Sequence, residues 1–328
     1  MKTPALVLFG PTASGKTELL ERLFGSGCLR AEIISADSMQ VYRGMDIGTA
    51  KPSAVERAKI PHHLIDIKNP DEQFNAGEFV RRAEEACRAA AGRGALPVVS
   101  GGTGFYLKNL VMGLGEAPPS DPAIRLGLKD ELADRGAASL MEELARADPV
   151  SAHRIHINDE YRLLRALEVY RLTGRPLSSF ASAWNNAAGA AGNSAFRFLL
   201  IALRRDREEL YRRINARTAA MFRAGLPAEV RRLYEAGYTP SDPGLRAIGY
   251  REFFVQDGGV TTGSTAPGKS GWRLSEDMAG VQALAAQNSR RYAKRQITFF
   301  ASLPDVTWID YGNDTAAVVE REMRAFFG

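Results

Sequence analysis

The chain has 328 residues, 45% of them hydrophobic and 25% charged, which is ordinary for a globular protein with a sizeable core and leaves room for one large or two modest domains. Its two cysteines, Cys28 and Cys87, exclude a disulfide framework and a multi-cysteine zinc site, and read as inert thiols in a reducing cytosol. The formal net charge of +5 suits an anionic partner such as nucleic acid, and suits an ordinary basic protein equally well.

The N-terminus is basic and then apolar, like a secretory start, but its apolar run Ala5–Phe9 is short and leads straight into a glycine loop, so it reads as a first strand. No later segment has the length of a membrane span. Gly10, Pro11, Thr12, Ala13, Ser14, Gly15, Lys16 and Thr17 spell GPTASGKT, the phosphate-loop pattern in its strand–loop–helix setting. Such a loop turns backbone N–H groups inward onto phosphate oxygens, and the next helix adds its positive N-terminal end. Lys16 reaches the outer phosphates, and the Thr17 hydroxyl is placed for Mg²⁺. The pattern predicts binding of a diphosphate or triphosphate and leaves its identity open.

A helix is expected from Lys16 to about Leu23, a strand at Ala31–Ser35, and a third short apolar stretch at His63–Ile67. Phe79, Ala83, Ala86 and Ala90 recur at helical spacing in Ala76–Ala91, and Leu96–Ser100 is another buried-strand pattern before the turn Gly101-Gly102-Thr103-Gly104. This alternation predicts an α/β fold: a parallel sheet of the phosphate-loop NTPase kind, flanked by helices. The Pro-rich stretch Glu116–Pro122 breaks it, and residues 121 to about 181 read as purely helical, with a helix start at Asn158-Asp159 and a stop at Gly174 and Pro176. After a low-complexity loop at 185–195, Phe196–Leu203 is strongly strand-like. The expected organisation is a core of residues 1–115 and 196–328 with an all-helical insertion at 116–195. Helices follow at Asp206–Arg223 and Pro227–Ala236, a loop at 257–271, a basic helix at Leu284–Ser302 and a last strand at Val306–Tyr311.

Open α/β sheets place ligands at the C-terminal ends of their strands. If the second and fourth apolar runs neighbour the first, Asp37 and Thr103 converge on the phosphate loop. By position alone Asp37 suits two roles equally, holding Mg²⁺ or accepting a proton from a bound nucleophile, while Thr103 reads as a turn residue. Arg213 and Arg217 share a helix face in a stretch, Arg204–Arg232, with nine arginines against four acids; each is as well explained by a phosphate contact as by a solvated face. Arg290, Arg291, Lys294 and Arg295 form a further basic cluster, beside which Gln296 reads as a packed structural residue. His62, His63, His153 and His156 lack metal-ligand spacing.

Six segments in order resemble the tRNA dimethylallyltransferase (tRNA isopentenyltransferase) family, bacterial type: GPTASGKT, SADSMQVYRGMDIGTAKP from Ser35, GGTGFYLKNL from Gly101, RIHINDEYRLLRALEVY from Arg154, LRAIGYRE from Leu245 and AKRQITFF from Ala293. The resemblance lapses at the 185–195 and 257–271 loops. It implies transfer of a dimethylallyl group from dimethylallyl diphosphate to N6 of the adenine immediately 3′ of the anticodon, with release of diphosphate and with Mg²⁺ as cofactor. It implies a catalytic set of Asp37 as proton acceptor, Thr103, and Arg213 ahead of Arg217 on the diphosphate. It further implies tRNA contacts at Asp37, Ser38, Met39, Gln40, Thr103, Arg125, Tyr161, Arg162, Arg165, Arg246, Gly249, Tyr250 and Arg251. Arg162 and Arg165, three apart on one helix face, would meet phosphates of the anticodon stem. The expected setting is a cytoplasmic monomer whose partners are a tRNA anticodon stem-loop and the prenyl diphosphate, with no membrane. The rivals are an adenylate isopentenyltransferase, which needs neither the helical insertion nor the basic helix, and an ATP-binding small-molecule kinase or NTPase, which needs a second acid for its metal. A non-catalytic RNA-binding module would leave the phosphate loop unexplained.

Overall fold

Five consecutive residues of the first strand, Ala5 to Phe9, are wholly inaccessible, as a central strand covered on both faces requires. In the computed structural model, which describes residues 2–180, 195–256 and 271–328, this strand is β1 (Thr3–Phe9). It is followed by β2 (Ala31–Ala36), β3 (His62–His63), β4 (Leu96–Gly101) and β5 (Phe196–Arg204), then by the antiparallel pair β6 (Phe254–Gln256) and β7 (Trp272–Leu274), and last by β8 (Thr307–Asp310). Six of them form one sheet in the order β3-β2-β4-β1-β5-β8, parallel throughout. The apolar stretch after His63 leaves the sheet at once, because Leu64 (φ 62°) and Asp66 (φ 57°) take left-handed backbone that no strand continues through. The loops expected at 185–195 and 257–271 lie, apart from Ala195 and Gly271, outside the described residues.

Helices cover the sheet. α1 (Lys16–Phe24) buries Leu19, Leu20, Leu23 and Phe24 against Leu6, Leu8, Ile33, Val98 and Ile201. After the short α2 (Ala54–Lys59), α3 (Ala76–Gly92) starts at Asn75, whose side chain accepts the Glu78 N–H. It buries Phe79, Ala83, Cys87 and Ala90, so Cys87 takes the inward place expected of Ala86. Burial pushes the Cys87 thiol up to about 12, which keeps it un-ionised and inert. α4 (Gly104–Met112) follows β4.

The chain divides into two compact units, Met1–Leu110 with Ser194–Gly328, and Val111–Asn193. The second holds α5 (Pro122–Ala147), broken at Gly136, α6 (Pro149–Arg154) and α7 (Glu160–Thr173). Asp159 caps α7 by accepting the Arg162 N–H, and Gly174 (φ 69°) ends it, where only glycine adopts left-handed backbone readily. Leu128, Leu140, Leu144, Leu163, Leu164 and Leu167 make its apolar core. Two buried acids pin its loops. Asp148 accepts the N–H and hydroxyl of both Ser151 and Ser178, and Glu168 accepts Ser120 Oγ, the Asp121 N–H and the guanidinium groups of Arg125 and Arg165.

The first unit is completed by α8 (Arg207–Arg223), α9 (Leu226–Glu235), α10 (Met278–Phe300) and α11 (Thr315–Phe327). α10 begins earlier than its basic stretch suggests, because Asp277 caps it by accepting the Gly280 N–H and Val281 and Ala285 extend its buried face. Leu210 and Ile214 of α8 pack against Ala293 of α10, with Ala13 of the phosphate loop alongside.

Gly101 closes β4 where no side chain fits, since a Cβ there would stand 2.1 Å from the Ala36 carbonyl oxygen. Gly101→Ala should therefore force β2 and β4 apart at their C-terminal ends and destabilise the protein by about 1–3 kcal/mol. A lowered urea midpoint would show this, and an unchanged midpoint would refute it.

Candidate active site

Gly101 lies in register with both Phe9 and Ala36, so the loops after β1, β2 and β4 leave the sheet side by side. A cleft of about 1260 Å³ opens there, lined entirely by the first unit. The residues from Thr12 to Thr17 form one wall; Gly10 and Pro11 lie behind it. Ala13 (φ 63°) and Gly15 (φ 105°) supply the left-handed turns of the loop. A Cβ on Gly15 would stand 2.7 Å from the Tyr311 ring. Lys16 Nζ donates to the carbonyls of Gly10 (2.8 Å) and Pro11 (2.9 Å). Two arginines brace the loop: Arg205 Nε donates to the Ser14 carbonyl (2.8 Å) and Arg213 Nε to the Ala13 carbonyl (3.0 Å). Arg205, stacked 3.8 Å over the Tyr311 ring, carries no motif and escaped the sequence reading.

One turn beyond Arg213, Arg217 faces the inside of the cleft. Burial, and next the Arg217 charge, hold the Lys16 ammonium down to about 7, against the opposing pull of Asp37. Burial likewise lowers Arg217, again opposed by Asp37. Two cations thus share a desolvated space with one carboxylate, a surplus that a polyanion would relieve. The resemblance favours Arg213 on the diphosphate; in the structure Arg213 both braces the loop and lines the cleft, while the Arg217 charge acts on Lys16 and meets that of Asp37.

Asp37 follows β2, and its Oδ1 accepts the N–H groups of Met39 (2.8 Å) and Gln40 (3.3 Å) in a tight turn. Thr103 does not line the cleft. Its N–H donates to the Ala36 carbonyl (3.1 Å), and its hydroxyl accepts the Ser38 N–H (3.0 Å) and donates to Ser38 Oγ (3.3 Å). It works as a tie between two strand-end loops. Ser38 and Met39 line the cleft with Gln40, whose Nε2 donates to the carbonyls of Thr49 and Ala50.

Gln296, whose helical context suggests an ordinary packed residue, is the joint of the site. It is buried, its Oε1 accepts the Thr12 N–H (2.9 Å), and its Nε2 donates to the Gly102 carbonyl (2.7 Å). These partners admit one amide orientation only, because each end meets its complement. Tyr292, one turn back on α10, is pushed up to about 12 by burial and then by Asp37, opposed by hydrogen bonds to Thr103 and Gln296. In the basic cluster Arg295 lines the cleft and lies 5.7 Å over the Tyr292 ring, while Arg291 and Lys294 are exposed.

From the LRAIGYRE stretch, Arg246 and Gly249 line the cleft and Arg251 is exposed beside Glu252. Tyr250, expected at tRNA, is fully buried, so its side chain offers no surface to an RNA. In the second unit, Arg125 and Arg165 are engaged with Glu168, and the Arg125 guanidinium lies 4.8 Å over the ring of Tyr161. Tyr161 is 72% exposed and Arg162 projects beside Asp159.

Among the described residues no three His, Cys, Asp or Glu side chains gather as a metal cage. Thr17 and Asp37 nevertheless put a hydroxyl and a carboxylate on the cleft. Hard oxygen donors in so small a number fit Mg²⁺, which keeps most of its shell as water and phosphate oxygen.

The IPP transferase family model matches residues 40–303. A tRNA dimethylallyltransferase of Geobacter sulfurreducens is 41% identical over 327 residues, covering 100% of this chain and 98% of that protein. The one from Geobacter metallireducens is 43% identical over 314 residues, covering 94% and 93%. Among solved structures, the full-length tRNA isopentenylpyrophosphate transferase of Bacillus halodurans is 34% identical with a TM-score of 0.62, covering 100% of this chain and 98% of its own. A eukaryotic dimethylallyltransferase captured acting on tRNA is 26% identical with a TM-score of 0.74, covering 97% and 77%.

Gln296→Leu leaves the Thr12 N–H and the Gly102 carbonyl without partners, which loosens the loop. The Kd for inorganic diphosphate should rise about tenfold, equivalent to about 1.4 kcal/mol, by titration calorimetry. Lys16 generates a second expectation. With its free-site value near 7, it is mostly neutral above that pH, and a bound polyanion recharges it. Diphosphate binding at pH 8 should take up about one proton, and affinity should fall as pH rises through 8. Calorimetry in buffers of different ionisation heat reads the uptake, and Lys16→Arg, always charged, subtracts the ligand's own protons. Equal proton uptake by both proteins would defeat this account of Lys16.

Proposed function

This chain belongs to the IPP transferase family, and on that footing we propose that it transfers a dimethylallyl group from dimethylallyl diphosphate to N6 of the adenine 3′ of the anticodon in tRNA. The observation that carries the reading is the pairing inside one cleft of a polyanion grip, Lys16 and Arg217, with a carboxylate, Asp37, at the next strand end. Phosphate loops recognise phosphate and not the group attached to it, so a prenyl diphosphate suits this one as well as a nucleotide.

In the transfer the allylic C1–O bond breaks, the N6–C1 bond forms, and N6 loses one proton. Negative charge grows on the departing diphosphate. The phosphate-loop N–H groups, Lys16 and Arg217 would meet it, with Arg213 and Arg205 holding the loop through the Ala13 and Ser14 carbonyls. Thr17 would hold Mg²⁺, which supplies further charge neutralisation on the leaving group. Asp37 accepts the proton of the exocyclic amine, a weak nucleophile that gains from a positioned base. Its turn through Met39 and Gln40, and the Thr103 tie to Ser38, fix the carboxylate's approach.

A base inside a folded anticodon loop must be flipped out to enter such a cleft. Arg246 and Arg295 stand at the cleft, and in the helical unit Tyr161 and Arg162 are exposed to stack on, or pair with, the RNA. The reading includes action as a monomer in the cytoplasm; no helix among the described residues is long and apolar enough to cross a membrane.

Labelled dimethylallyl diphosphate, Mg²⁺ and unmodified tRNA should give labelled tRNA without ATP. Label on competing AMP would favour a mononucleotide acceptor, and ATP turnover without transfer would favour a kinase or NTPase. Asp37→Ala should slow transfer by about 10²–10⁴-fold while leaving the tRNA Kd within about threefold; parallel loss of binding and turnover would remove Asp37 from the role of proton acceptor.

A further inference from the structure

One buried carboxylate of the first unit stands apart from the phosphate grip. Glu229 of α9 is 1% exposed, and among the described residues no cation is paired with it. Its charge is met by neutral donors alone. Oε2 accepts the N–H groups of Asp46 (3.0 Å) and Ile47 (2.9 Å), and Oε1 accepts the Gly48 N–H (3.2 Å) and the Tyr250 hydroxyl (2.6 Å). Three successive N–H groups converging on one anion form a concave backbone nest, here filled by the protein's own side chain. A buried charge is tolerable only when satisfied this fully.

Both groups of donors belong to walls of the cleft. Residues 46–49 line it on one side and 246–249 on another. Tyr250 joins them. Its ring occupies the space a Gly48 side chain would need, since a Cβ there would stand 2.4 Å from the ring, and its hydroxyl shares Oε1 with the Gly48 N–H. Burial and the adjoining Glu229 carboxylate both raise the Tyr250 phenol, so it stays a donor. Gly249 (φ 95°) then turns the second loop, its N–H held by Glu252 (2.7 Å). The phosphate loop, the strand-end residues 37–40 and 100–102, and faces of α8 and α10 line the rest, so these two loops form part of the wall around the space left for the acceptor.

We propose that Glu229 is a positioning residue for the acceptor, locking the 46–49 and 246–249 loops together through Tyr250 so that an adenine entering the cleft meets a preformed wall. This rests on the tRNA prenyltransferase reading. It also gives Tyr250 a role that its burial allows, as a tether rather than a contact.

The test uses the full chain with Glu229→Gln and, as the milder variant that keeps the carboxylate, Tyr250→Phe. An amide at 229 cannot accept all four donors, because its NH₂ group opposes N–H groups. Three quantities are read: amide exchange at Asp46–Gly48, calorimetric Kd and stoichiometry for inorganic diphosphate, and KM and kcat for tRNA. Expected are faster exchange at those amides, diphosphate binding within about twofold of wild type at full stoichiometry, and kcat/KM for tRNA lower by about 10–100-fold for Glu229→Gln and about 3–10-fold for Tyr250→Phe, mainly through KM. A simply misfolded protein would lose diphosphate stoichiometry and transfer together, which for Tyr250→Phe would overturn the positioning role. Unchanged KM in both variants would overturn it as well. A wild-type enzyme that does not prenylate tRNA would overturn the functional reading and the acceptor assignment with it, while the exchange data alone would still report whether Glu229 holds the loops.

Discussion

The close approach of two backbones at Gly101 governs the rest of the site. Because that residue has no side chain, β2 and β4 meet at Ala36 and Gly101 while Phe9 of β1 lies opposite the same residue. The three following loops then start within hydrogen-bonding distance. Thr103 reaches back to the Ala36 carbonyl and across to Ser38, and the turn that aims Asp37 hangs from that contact. A carboxylate placed by strand ends, with its turn closed on itself, is more exact than one carried on a free loop. Asp37 and the phosphate loop hold their spacing because the sheet does.

Electrostatics makes the same arrangement useful. Lys16 and Arg217 are desolvated beside each other, an arrangement that Asp37 offsets only in part. In the proposed reaction an arriving diphosphate would recharge Lys16, engage Arg217 and relieve Asp37 of that task, leaving the carboxylate free to accept a proton. On that proposal, charge grows on the diphosphate as it departs from the allylic carbon, and the cations need not move to follow it. Positive charge held in place before the reaction is worth more than the same charge brought up by flexible side chains. The bracing of the Ala13 and Ser14 carbonyls by Arg213 and Arg205 serves that rigidity.

Much of this was legible in the sequence, for identifiable reasons. The phosphate loop and the buried strands are local patterns, and the start of α7 at Asp159 announces itself in a few residues. A parallel sheet follows from alternation with helices, whereas the order that sets β4 between β2 and β1 does not. Illegible were contacts between distant segments. Gln296 lies 284 residues from Thr12, and nothing in its own neighbourhood distinguishes it from a packed helix residue. The β6–β7 pair is too short for any periodicity to show. Tyr250 stands in a motif that resembles an RNA-contacting stretch, yet a tyrosine's burial is set by what packs on it, here Gly48 two hundred positions earlier. Between Arg213 and Arg217, helical spacing gives both the same face, and both line the cleft; only the three-dimensional site shows that Arg213 commits its Nε to the Ala13 carbonyl while Arg217 lies in the field of Asp37.

The molecule divides its holding interactions by kind. The sheet and its helices are joined by apolar side chains, which are numerous, non-directional and tolerant of small shifts. The loops around the cleft are joined instead by single polar groups: the buried Gln296 between Thr12 and Gly102, the half-buried Thr103 between Ala36 and Ser38, and the buried Glu229 between Asp46–Gly48 and Tyr250. The helical unit repeats the device with Glu168 and Asp148. Hydrogen bonds are directional and fail steeply with angle and distance, so they fix loop geometry in a way that apolar packing does not. Their loss leaves an unsatisfied group and a loosened wall but leaves the apolar core in place. Geometry of the site and stability of the fold are therefore separable, and a variant at one of these joints reads first as a change in binding and turnover, before it reads as unfolding.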